Sequence, residues 1–338
     1  MLPSRLALPR LLAIAAVLAG SGCVTQSHAV GRPYHAVAPA TPRPTELAPP
    51  PIVAAAVPAD AETEVEPVPD VPLPTLPRGG RTLFPRHRIV GYCGTPGAPE
   101  LGALQGNLTR RAQELSALAE KYGGDREVLP AFELIAVIVM GAAGPDKAWR
   151  RRVPASVVDD YLKAAREAKA LLLLNIQPGH SDFLTEVKAF DRWLREPDVG
   201  IALDPEWAMW KPDQKPGSVY GHTTGEVIND VAAYMADVVR ENKLPEKALV
   251  FHQVNGYVLL NEGALVAHPG VVLIKSVDGL GFARAKVATY DYLVKSMGPE
   301  VHPGFKLFFD EDVRFGDRLM GPKEVMALTP LPEYVMYE

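Results

Sequence analysis

Cysteine is almost missing: the 338 residues hold two, Cys23 and Cys93, so the chain can build neither a disulfide framework nor a cysteine metal site. Histidine is sparse as well, with no His-x-His pair, which makes a histidine-rich metal centre a poor expectation. No extended basic cluster interrupts a chain of net charge −5, so nucleic acid is not an expected partner. No glycine-rich GxGxxG turn follows the first apolar strand candidate, which argues against an open dinucleotide-binding sheet. Long apolar runs are absent too. The run "LLAIAAVLAG", residues 11–20, is too short to span a bilayer as a stable helix.

What is present begins with a leader. The charged start "MLPSRLALPR", that apolar run and then "SGC" read as a secretory signal over residues 1–22. Small residues before Cys23 point to cleavage there and lipidation of the cysteine, an anchor to a membrane. Lipoprotein signals usually place Leu three residues before the cysteine, where this chain has Gly20, so simple secretion is the alternative. Residues 23–80 are dominated by Pro, Ala, Val and Thr; dense proline opposes helix and sheet, and the segment reads as a disordered tether holding a domain of residues 81–338 away from the membrane. The expected location is exported and lipid-anchored, and the expected state is a monomer.

The remainder alternates strand and helix. Eight apolar runs read as strands buried on both faces, beginning near residues 88, 131, 170, 199, 247, 270, 305 and 333. Between them lie segments of helical spacing, near 101–121, 155–169, 182–195 and 282–297. The clearest is "TTGEVINDVAAYMADVVREN", with an apolar stripe at Val227, Ile228, Val231, Met235, Val238 and Val239 and a capping box of Thr223 and Glu226. Eight such units predict an α/β fold, a (β/α)₈ TIM barrel.

In that barrel one parity of each strand faces inward. "VGIALDPEW", residues 199–207, then puts Gly200, Ala202, Asp204 and Glu206 inside, with the acids at the carboxyl end, where this fold gathers its chemistry. Other strands end in the same way. Asn175 and Gln177 close the third, ahead of a loop with His180 and Asp182; His252 and Gln253 close the fifth, Ser276 and Asp278 the sixth, and Asp310 and Asp312 are expected to point inward from the seventh. Each also has a plain structural reading: Asp182 as a helix cap, His252 as a core histidine, residues 310–312 as a solvated loop edge. Trp207 and Trp210 follow the acids on the same loop, and Tyr92 sits in the first strand; aromatic rings beside acids suit sugar rings.

The stretches "GYCGTPG", "NIQPGHSDFLTEV", "EPDVGIALDPEW", "FHQ" and "KLFFDED" resemble those of uncharacterised exported barrel lipoproteins of actinobacterial type, glycoside-hydrolase-like in fold, and the likeness covers residues 88–338. A looser likeness is to chitinase-like glycoside hydrolases, whose fourth strand reads DGxDxDxE. Gly200, Asp204 and Glu206 match it, which implies Glu206 as the proton donor and Asp204 as its supporting carboxylate. Val199 and Ala202 stand where two further acids belong, a departure from the substrate-assisted pattern.

Glycoside cleavage needs a protonated carboxyl and a second carboxylate that attacks or activates water. Glu206 with Asp204 supplies the first, and Asp310 or Asp278 across the mouth the second. Tyr92, Trp207, Trp210, Gln177, Asp182, His252 and Gln253 are the expected substrate contacts, with a polysaccharide as substrate and no cofactor. Two other readings stay open: a non-catalytic glycan-binding or structural envelope protein, and a metal-dependent hydrolase using His252, Asp204, Glu206 and Asp278.

Overall fold

The computed structural model describes residues 72–338 except 315; the leader, Cys23 and the tether up to residue 71 lie outside the described residues. Eight parallel strands form the wall: β1 (His87–Gly94), β2 (Glu127–Val139), β3 (Leu171–Ile176), β4 (Val199–Leu203), β5 (Lys247–Gln253), β6 (Val271–Val277), β7 (Val301–Leu307) and β8 (Tyr334–Tyr337). Each pairs with its sequence neighbours, and β1 pairs with both β2 and β8, so the sheet closes on itself as a TIM-type barrel. The register at the seam runs from Ile89 opposite Tyr334 to Tyr92 opposite Tyr337. A short strand, Arg150–Arg152, adds antiparallel to the end of β2. Closure matters because it leaves none of the eight strands with an unpaired edge.

Helices cover the outside: α1 (Leu108–Ala119), α2 (Ala155–Glu167), α3 (Phe183–Lys188), α4 (Asp191–Leu194), α5 (Gly225–Glu241), α6 (Ala283–Leu293) and α7 (Pro322–Val325). The strong stripe of α5 is the one that packs: Ile228, Val231, Met235 and Val238 are all buried. Its cap is Thr224, whose side chain accepts from Val227 N, and not Thr223, which is drawn into a two-residue pairing with Leu259. The helix therefore starts one residue later than the Thr223/Glu226 box implies. The first helix also starts later than expected, at Leu108, because Asn107 caps it. After β5 only a single 3₁₀ turn, Glu262–Ala264, stands in the helix layer.

Residues 72–80, assigned by composition to the tether, belong in part to the barrel. Leu76 is buried, and Arg81, which donates to the Pro74 carbonyl, also donates to the carbonyls of Lys243 and Leu244, which lead into β5. This segment therefore packs at the amino-terminal end of the barrel. Apolar side chains such as Leu173, Ala248 and Val250 fill the inner wall at mid-height. Gly200 fits there because any Cβ would meet the carbonyl of Ala248 at 2.7 Å. One step further along the same inward faces come Asp204, Asn175, His252 and Ser276.

Candidate functional site

At the carboxyl end the inward positions turn polar together. β4 ends at Leu203, and Pro205 bends the chain into a 3₁₀ turn, Pro205–Trp207. Asp204 continues the inward parity of the strand. Glu206 arrives by the turn rather than by the pleat, yet is only 8 % exposed, and its Oε2 has no partner. The loop returns over it, with Gly221 N donating to the Glu206 carbonyl at 2.6 Å.

Asp204 is held from β3. Asn175 Nδ2 donates to its Oδ1 at 2.9 Å, and Gln177 Nε2 to its Oδ2 at 3.1 Å. The same Asn175 amide reaches Glu133 Oε1 on β2 at 3.0 Å, and Tyr334 on β8 donates to Glu133 Oε2. His252 lies between two carboxylates: its Nδ1 is 2.8 Å from Asp278 Oδ2, and its Nε2 is 3.1 Å from Glu133 Oε1 but off the line of a hydrogen bond. Asp278 also accepts from Ser276 Oγ at 2.7 Å and faces Lys306 Nζ at 3.3 Å, and Lys306 reaches Glu338 at 2.7 Å. One continuous polar network thus joins β2 through β8 in the barrel.

Its charges sort by environment. Burial would raise the Glu133 and Asp278 carboxyls, but the His252 charge, and behind it Lys306, hold both down at about 2. Burial alone would lower His252; Asp278 and Glu133 outweigh it and keep the imidazole protonated well above its ordinary range. Glu206 goes the other way: burial first, then the charges of Asp204 and Asp278, raise its carboxyl well above the ordinary 4.5. Asp204 is raised as well, by burial, against the pull of His252 and Lys306. The site therefore sets carboxyls that are raised, Glu206 and Asp204, against carboxyls that are held low, Glu133 and Asp278, the division that acid/base chemistry draws on.

Several expected residues lie elsewhere. Asp310 is exposed on the turn after β7, which ends at Leu307, so it does not join the cluster. Asp312 is buried but serves as a staple, pairing with Lys286 at 3.0 Å and accepting from Phe308 N and Gly281 N. Tyr92 has the outward parity of β1: Gly91 faces the interior against Met336, while burial and then Glu114 on α1 raise the Tyr92 hydroxyl. It packs edge-on against Phe309 and Tyr337. Asp182 is exposed and caps α3 by accepting from Thr185 N at 2.8 Å. Trp207 is half-buried beside Glu206, and Trp210 is exposed. Gln253 is buried with its Oε1 unpartnered.

Four members of the network were not singled out from the sequence: Glu133, Lys306, Tyr334 and Glu338. The first two carried a signal, a lone charge in the strand candidates "AFELIAVIV" and "FKLFF". A charge at an inward position of a closed barrel needs a partner there. Among the described residues, no group of three or more His, Cys, Asp or Glu is arranged to hold a metal ion, and no helix is long and apolar enough to cross a membrane. No protein-family model matches the chain, and no curated protein matches it.

Proposed function

We propose that the barrel is a glycoside hydrolase acting on a polysaccharide, exported and anchored through a lipidated Cys23, with Glu206 as the proton donor. The observation that carries this reading is the Glu206 carboxyl, buried at the mouth with an unpartnered oxygen and raised above its ordinary value by burial and then by the charges of Asp204 and Asp278. Glu206 gives its proton to the glycosidic oxygen as the bond to the anomeric carbon breaks. Asp278 is the second carboxylate, attacking that carbon or taking a proton from water. Asp278 replaces Asp310 in this role because it lies in the network and Asp310 does not. Trp207 offers a stacking face beside the acid. The resemblance to exported barrel lipoproteins supports the location.

A second reading, a glycan binder without turnover, is favoured by one feature: both Asp278 oxygens already accept from Ser276 and His252, with Lys306 close by, which leaves less freedom to react. Soluble envelope polysaccharides incubated with wild type and Glu206→Gln separate the two. Hydrolysis should fall by roughly 10²–10⁴ in the variant, the usual worth of general acid catalysis, while binding persists. Unchanged hydrolysis in the variant removes the assignment, and binding without products by wild type selects the second reading.

A further inference from the structure

The acid chemistry leaves the rim of the mouth unused. Among the described residues, the exposed large apolar side chains, apart from Leu73 and Tyr292, lie on the segments that leave β4, β5, β6 and β7. Parallel strands bring these four segments out at one end of the barrel, the end that carries Glu206. Five of these side chains are aromatic: Trp210 and Tyr220 after β4, Tyr257 after β5, Phe282 after β6 and Phe309 after β7. Tyr257 is 84 % exposed and Trp210 53 %.

Several of these rings are held in place. The His222 ring lies 5.1 Å from that of Trp210, and Lys211 Nζ sits 4.1 Å over it. Tyr257 N donates to Asn255 Oδ1, which fixes the turn that carries it, and Phe309 stacks on Tyr337 with ring centroids 5.4 Å apart. Rings held in water on consecutive loops at one end of a barrel are apolar surface suited to a partner.

The second observation lies beneath the rim. Three buried side-chain oxygens have no partner: Asn175 Oδ1, Glu206 Oε2 and Gln253 Oε1, from the ends of β3, β4 and β5; the two amide oxygens lack a donor, and the Glu206 carboxyl, when protonated, can donate or accept. A buried acceptor without a donor is costly, so these atoms call for a ligand that brings hydrogen-bond donors. The acyl chains of a lipid would cover the rings but bring no donors to the oxygens. Sugar rings present flat apolar faces and an edge of hydroxyls, and so match both. At a strand spacing of about 4.8 Å, the wall from β4 to β7 spans about 14 Å, longer than one sugar ring.

We infer that the mouth takes an internal stretch of a polymeric glycan, laid across the β4–β7 rim with its rings on Trp210, Tyr220, Tyr257, Phe282 and Phe309, so that cleavage occurs within chains and not at their ends. The position of the cut rests on Glu206 being the acid; the binding of a polymer does not.

The full chain carrying Cys23→Ala, with and without Tyr257→Ala plus Phe282→Ala, is run in native gels containing soluble peptidoglycan strands, arabinogalactan, amylopectin, xylan or chitosan. Leu73→Ala, on the segment that packs at the opposite end of the barrel, is the control. At least one polymer should retard the parent and the Leu73 variant alike, and loss of two stacking faces should weaken that binding about 10- to 100-fold with the melting curve unchanged. Viscosity of that polymer should fall before reducing ends accumulate. No retardation by any polymer, equal retardation of the double variant, or release of monosaccharides alone overturns the inference, as does binding confined to phosphatidylglycerol vesicles. Retardation that the double variant loses, with no hydrolysis by the parent, leaves the polymer site standing and removes the hydrolase reading.

Discussion

Replacing Glu206 with glutamine tests the central electrostatic claim without a substrate. The Glu206 carboxyl is raised well above 4.5 in the folded protein, chiefly by burial and then by Asp204 and Asp278. The sign follows from proton binding: above pH 4.5 the unfolded chain releases a proton that the folded chain keeps, so wild type loses stability as pH rises, until the folded pKa is passed. Each pH unit in that window costs about 1.4 kcal/mol. The glutamine side chain keeps the shape and has no proton to release, so the Glu206→Gln variant lacks this slope. The two proteins should be nearly equally stable at pH 4, with the variant moving ahead at up to about 1.4 kcal/mol per pH unit above 4.5 until the folded pKa is passed. Urea unfolding at pH 4, 5, 6 and 7 reads the difference directly, since the other titrating groups are common to both proteins. Stability curves that run parallel across this range would refute a raised Glu206 and, with it, the source of the transferable proton.

Lys306→Met removes the cation 3.3 Å from Asp278 and 2.7 Å from Glu338, leaving two buried carboxyls short of a partner. Denaturant unfolding at pH 7 should show a loss of about 3–5 kcal/mol, and a loss under about 1 kcal/mol would mean that water already screens the pair. Gly91→Ala places a methyl 2.6 Å from the Ala131 carbonyl and against Met336, and should cost about 1–3 kcal/mol; an unchanged melting temperature would show the wall to be looser than its register implies. Deleting residues 333–338 removes β8, which pairs with both β1 and β7, and should abolish cooperative unfolding. A truncated chain that melts like wild type would refute the need for closure.

The alternation of apolar runs and helical stripes determined the barrel, because strands buried on both faces and amphipathic helices each leave a local mark in composition and period. Each of β1 to β8 overlaps a run legible as a strand, though β2 and β7 begin ahead of theirs, at Glu127 and Val301, and the α5 stripe packs as read except that Val227 is only partly buried. Asp204 and Asn175 were legible as inward residues for the same reason, since parity holds along an unbroken strand. Parity failed where a strand stopped early. Leu307 ends β7, so Asp310 turned to solvent, and Pro205 ends the strand geometry of β4, so Glu206 reached the mouth by a turn. Tyr92 shows the same limit in another form: its strand was legible, but its face was set by which neighbour, Gly91, could tolerate the crowded interior. Partnerships were decided by the tertiary structure alone. His252 is charged because Glu133 on β2 and Asp278 beyond β6, remote from it in sequence, meet it inside the barrel, and electrostatic energy depends on distance in space. Burial, which leads the causes that raise Glu206, exists only once the loop of residues 208–222 has returned over the mouth.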